Sequence, residues 1–284
     1  MSRLLPLPPK TGIAIDGRVL ILVCLLLFPP TFATFERGQF SLLVLAALFV
    51  AMDPSRDWLL RGAALGLALV KPSIALPFVF IPLARREWRV FVIAAAIQAI
   101  AAAYVMFQAK SMVGIFLDWL TVARFFMFGM YTAHDWLTAA ASISPLVVPL
   151  GSLALLAVCG IVLFAGGRRS IQQQFMFACA TAYFWTYHST YDFIVMAPLL
   201  LRYLGCSLPP NWKTWSVLGT VTFAFVCLAL TDHVIRGDDP LTRVIRWINR
   251  FIFLGMYIRE FLVFHRSGMG AREETTARPI PTPA

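Results

Sequence analysis

Three apolar runs near the start of the chain are separated by very short polar breaks. They extend from Phe40 to Met52, from Leu59 to Val70 and from Ser73 to Ala84. ERGQ precedes the first, DPSRDW and Lys71-Pro72 divide them, and RREWR follows the third. Each run holds about 12 or 13 residues and would rise roughly 20 Å as a helix, short of the ~30 Å hydrocarbon core of a bilayer. Two arrangements fit. The second and third runs can form one long helix, kinked at Pro72, with Lys71 in mid-membrane. Alternatively, all three are short helices, and the breaks at Gln39 and Lys71 line a polar cavity. Pro72 removes a backbone donor and moves Lys71 away from helical geometry. Such breaks persist at membrane depth only where protein or water satisfies the freed groups. The second arrangement is preferred.

The later apolar runs are Val90 to Phe107, Pro145 to Ala165, Phe175 to Tyr187, Phe193 to Leu204, Trp215 to Leu230 and Val244 to Phe264. With an earlier run, Val19 to Phe28, they predict about ten hydrophobic helices. The stretch Gln108 to Ser144 carries Trp119, Phe125, Phe126, Tyr131 and Trp136, which suit a membrane interface. The expected fold is therefore all-α, a polytopic integral membrane protein with several short or broken helices. Residues 1–266 form the helical transmembrane domain, and the polar, Pro-rich tail 267–284 is expected to be disordered and cytoplasmic.

Composition agrees. The 284 residues are 60% hydrophobic and 13% charged, with a mean hydropathy of +0.77, beyond what a soluble domain of this size needs. The net charge of +10 alone would suggest nucleic acid. The cations cluster in short loops, however, as they do on the cytoplasmic side of membrane proteins, so no nucleic-acid partner is expected. Val19 to Phe28 follows Arg3, Lys10 and Arg18 like a signal sequence but lacks a small-residue cleavage site, and is read as a retained first helix. The five cysteines are scattered through apolar runs, and no HExxH or Cys/His spacing occurs. Neither a metal site nor a cofactor is expected.

The positive-inside rule orients the chain. With RREWR and GRR (167–169) in the cytoplasm, both termini are cytoplasmic too. Lys71, ERGQ, residues 108–144 and YHSTYD (187–192) then lie outside. Lys110, Arg124, Arg236 and Arg243 are the main exceptions. An unbroken helix through Lys71 would invert everything upstream. The split places Glu36, Arg37, Gln39, Lys71, Asp118, Arg124, His134, Asp135, His188, Tyr191 and Asp192 on one extracytoplasmic face. Ionisable groups within membrane segments are expensive and point to function. Each also has an ordinary explanation. Lys71 can snorkel, Arg37 can anchor at the interface, His188 can sit in a plain turn, and His134 with Asp135 can belong to a solvated loop.

GQFSLLVLAALFVAM, RGAALGLALVKPSIALPFVFIPL and ARREWR together resemble the polyprenyl-phosphate-mannose-dependent glycosyltransferases of the GT-C class, in particular family 87. There a GQ-led helix precedes a Gly/Ala-rich helix ending in Lys-Pro, a short helix and a basic, Trp-containing turn. HSTYDFIVMAPLLL is similar to that family's His-containing break. The resemblance covers about residues 18 to 204. It implies an integral plasma (inner) membrane enzyme of the cell envelope. Such an enzyme moves a sugar, mannose in the family, from a polyprenyl-phosphate donor to an extracytoplasmic glycan or lipid acceptor. Lys71 and Arg37 would hold phosphate. Gln39, His134, Asp135, His188 and Tyr191 would orient substrate. Glu36 and Asp192 are the carboxylates placed to take the acceptor's proton. The class carries its base, usually Asp, in a long first extracytoplasmic loop, whereas the first external break here is only TFERGQ. The expectation is a chain without that loop: truncated, one half of a split enzyme, or non-catalytic. A transporter or flippase and a non-catalytic membrane subunit stay open as other classes.

Overall fold

A computed structural model describes residues 40–109, 147–185 apart from 168, 190–199 and 251–265, with isolated positions between them. Among the described residues every regular element is a helix.

The three apolar runs become α1 (Ser41–Ala51), α2 (Trp58–Ala68) and α3 (Pro72–Ala84). Asp57 opens α2, its carboxylate accepting from the Leu59 amide at 2.9 Å, as a helix N-cap does. The chain breaks after α2 because Pro72 cannot continue it. Lys71 sits at φ −117° and ψ 79°, and Pro72 takes the first position of α3, where its missing amide proton is not needed. No helix runs through Lys71, so the split arrangement is the one adopted.

α4 (Trp88–Ala109) follows, then α5 (Val147–Ala165) and α6 (Ile171–Phe184). Ser170 caps α6 by accepting from the Gln173 amide. Thr190–Met196 then winds as a 3-10 helix and passes into α-helical residues at 197–199, so the helix expected from Phe193 starts in 3-10 form. A further helix, α7, is described over 251–265. Only Trp88–Phe107 within α4 is, among the described residues, long and apolar enough to cross a membrane. Just 11% of its most apolar window is buried, so most of the helix faces outward. Ser41–Ala51, Trp58–Ala68, Pro72–Ala84 and Leu150–Ala165 are apolar but shorter. The expected first helix at 19–28, most of 108–144, residues 201–243 and the tail 267–284 lie outside the described residues.

α6 is the central post. Every residue from Gln174 to Phe184 is buried. Phe175 stacks between Phe49 of α1 and Phe78 of α3, with ring centroids 5.1 and 5.2 Å away. Phe177 packs on Phe264 at 5.2 Å and Tyr183 on Phe253 at 4.7 Å, which joins α7 to the same core. These stacked and tilted pairs add to the burial of the rings themselves.

α2 lies between α1 and α4. Gly62 and Gly66, one turn apart, let α4 approach closely, since a Cβ on Gly62 would fall 2.6 Å from Ile93 Cβ and one on Gly66 2.9 Å from Ile97 Cδ1. Gln98 then donates to the Gly66 carbonyl at 2.7 Å. This is close packing through small residues with a polar side chain as glue.

The helices alternate in direction, and polar groups collect at two poles. At one pole Arg61 Nε donates to the Ala51 carbonyl at 2.9 Å and its guanidinium pairs with Glu87 at 2.5 Å, so the end of α1, the start of α2 and the end of α3 meet. Arg85 joins Glu87 at 3.2 Å, and the Gln174 amide donates to the Gly166 carbonyl at 3.1 Å. Asp53 also lies at this pole, where the Ser55 hydroxyl, before any other influence, holds its carboxyl below the usual value. The start of α1 and the break at Lys71 form the opposite pole.

Candidate functional site

That opposite pole holds a triangle of side chains from three separate parts of the chain. Ser41 is the first residue of α1, Lys71 is the N-cap of α3, and Asp192 lies in the 3-10 helix. Lys71 Nζ lies 2.5 Å from Asp192 Oδ1 and donates to Ser41 Oγ at 2.8 Å. The Ser41 hydroxyl donates to the same Asp192 Oδ1 at 2.9 Å. Ser41 and Asp192 are buried. Lys71 keeps 19% of its side chain exposed, so the pair is reached from outside the bundle through the lysine.

Local sequence explains the placement. Pro72 fixes the turn that presents Lys71. An ammonium at a helix N-terminus meets the positive end of the peptide dipoles and is disfavoured there. The Asp192 carboxylate offsets this at both the α3 and α1 termini. Breaking such a pair by removing one partner leaves an uncompensated charge and is strongly destabilising.

A second support comes from α3 itself. Pro77 lies four residues after Ser73 and carries no amide proton, so the Ser73 carbonyl loses its helical donor. Trp185, the residue that ends α6, fills that role, its indole Nε1 donating to the Ser73 carbonyl at 2.6 Å. The first turn of α3, and Lys71 at its head, are thereby tied to the central post.

Of the residues singled out by sequence, the structure brings Lys71 and Asp192 into direct contact. Tyr191 lies in the same 3-10 helix, but its side chain is outside the described set. Glu36, Arg37, Gln39, His134, Asp135 and His188 are also outside the described residues. Ser41 and Trp185 were not anticipated. The available signal for Ser41 was its being the one polar residue in the run Phe40 to Met52, two positions after Gln39. Among the described residues no group of three or more His, Cys, Asp or Glu side chains is placed to hold a metal ion.

A cation and a carboxylate, held together by a serine hydroxyl and enclosed by apolar helices, have the chemistry to bind an anion and exchange a proton. The sequence profile of glycosyltransferase family 87 matches residues 8–190, well over half of the chain, and the protein belongs to that family. The match takes in α1 to α6 with Ser41 and Lys71, and ends two residues before Asp192. No curated protein and no solved structure matches the chain.

Proposed function

We propose that this glycosyltransferase is a multi-pass enzyme of the plasma (inner) membrane that transfers mannose from a polyprenyl-phosphate donor to an extracytoplasmic glycan or lipid acceptor. The observation that carries the reading is the Lys71–Asp192 contact at 2.5 Å in a chain of this family. It joins, in one buried place, the two charges such a transfer uses.

The acceptor hydroxyl oxygen forms a bond to the anomeric carbon, and the bond from that carbon to the phosphate oxygen breaks. The lipid leaves as polyprenyl phosphate with one more negative charge, which Lys71 neutralises, with Arg37 as a second cation. The hydroxyl proton passes to a carboxylate, Asp192 or Glu36. Gln39, His134, Asp135, His188 and Tyr191 orient sugar and acceptor from the same face. Residues 1–266 make up the membrane domain and 267–284 the cytoplasmic tail. The isoprenoid tail lies between helices among membrane lipids.

The test is direct. Purified protein in lipid vesicles is given a radiolabelled polyprenyl-phosphate mannose and an extract of envelope glycans and lipids. Label moving into an acceptor, and lost with Lys71→Ala, supports the reading. Protein that binds the donor and never transfers label from it overturns the enzymatic role.

A further inference from the structure

In the reading above the donor's phosphate goes to Lys71, and in the structure that position already holds an anion, the carboxylate of Asp192. We propose, on the basis of that function, that Ser41 and Lys71 together form the anion subsite for the phosphate of the lipid donor. In the structure Asp192 fills this subsite as an internal stand-in.

The geometry points this way. A single oxygen, Asp192 Oδ1, gathers the Lys71 ammonium at 2.5 Å and the Ser41 hydroxyl at 2.9 Å. Two convergent donors on one oxygen is also how a phosphoryl oxygen is bound. Ser41 already orders its hydroxyl by accepting from Lys71 at 2.8 Å, so its proton is aimed at whichever anion sits there. Both donors are held by their backbones. Ser41 opens an 11-residue helix and Lys71 heads a 13-residue one anchored by Trp185. The carboxylate comes instead from a seven-residue 3-10 helix, a winding with poorer hydrogen bonds that is uncommon at such length. The two donors thus converge from the starts of two longer helices, and Asp192, itself buried, meets them from the 3-10 segment. The partial exposure of Lys71 gives an incoming anion its point of entry.

The exchange has a catalytic meaning. While Oδ1 is engaged by an ammonium and a hydroxyl, it is not placed to accept the acceptor's proton. A phosphate that takes Lys71 and Ser41 removes these two donors from Oδ1, and that oxygen can then accept the acceptor's proton. Donor binding would then precede activation of the acceptor.

The experiment uses the full chain in detergent micelles and a short-chain polyprenyl phosphate, with affinity measured by titration calorimetry and folding checked by thermal melting. Asp192→Asn keeps the side chain's shape and an oxygen for Ser41 but removes the competing charge. It is expected to bind the lipid phosphate at least about fivefold tighter than wild type, the scale of a typical coupling between two sites. Ser41→Ala should bind several-fold more weakly, and Ser41→Thr, which restores a hydroxyl, should recover much of the loss. Lys71→Gln should bind weakly, and the matching polyprenol without phosphate should show none of these differences. Equal or weaker binding by folded Asp192→Asn overturns the stand-in. If that variant does not fold, unchanged affinity in Ser41→Ala overturns the subsite. A failure of wild type itself to bind the lipid phosphate is a different result. It removes the proposed function, and this inference with it.

Discussion

Replacing Trp185 by Phe should weaken the protein by a mechanism that can be isolated. The ring is largely retained, while the indole N–H that donates to the Ser73 carbonyl at 2.6 Å is lost. Because Pro77 lacks an amide proton, no helical donor replaces it. A carbonyl left without its partner in a packed setting costs about 1–3 kcal/mol. For a domain of this size, each kcal/mol lowers the melting temperature by roughly 2–4 °C. Heat unfolding in detergent, read at a fixed scan rate, gives the first number. The decisive measurement is a double-mutant cycle with Pro77→Ala. Alanine restores a backbone donor to the Ser73 carbonyl at the normal helical spacing. On that background Trp185→Phe should keep well under half of its effect, a coupling of about 0.5 kcal/mol or more. Strict additivity of the two changes would show that Trp185 acts through ring packing alone, and the account of Pro77 would be wrong.

Lys71→Ala should slow sugar transfer about ten- to hundredfold, since a charge-assisted contact made in the transition state is worth ~1.5–3 kcal/mol, and Lys71→Arg should keep part of the rate. Glu36→Gln and Asp192→Asn separate the two carboxylates in the same assay: the one that serves as base loses most of its kcat, and full activity in both variants would exclude either as the base. Gly62→Val should destabilise by about 1–3 kcal/mol by driving a side chain into Ile93, whose Cβ already lies 2.6 Å from where the new Cβ would sit, and a melting curve matching wild type would contradict the close packing. A single cysteine at position 71 on a cysteine-free background should react with an impermeant reagent from the extracytoplasmic side, and labelling only from the cytoplasm would reverse the proposed orientation.

The break at Lys71 was legible because its cause is local: proline dictates the conformation of the residue before it. The three short helices were legible for the same reason, each ending at turn or proline chemistry written beside it. Counting charges across loops put Lys71 and Asp192 on one face, yet nothing local could bring the two side chains into contact. Ser41 was missed because a lone serine in an apolar run looks the same whether it faces a neighbour's backbone or a buried ion pair. Trp185 was missed because its partner carbonyl is freed by a proline more than a hundred residues earlier. The helix expected from Phe193 becomes α-helical only from Ala197, because apolar content does not separate a 3-10 winding from an α-helical one.

The glycine slot between α2 and α4 governs which parts can move. With Ile93 and Ile97 seated over Gly62 and Gly66, and Gln98 bonded to the Gly66 carbonyl, sliding one helix along the other would force each isoleucine over the next turn's side chains. The two helices therefore travel as one lever. Lys71 follows α2 by three residues, but the Trp185–Ser73 bond ties it to α6, the helix against which the 3-10 helix carrying Asp192 also packs. The lysine and the aspartate are thus both moored to the central post, and the locked α2–α4 pair is a rigid plate packed beside them.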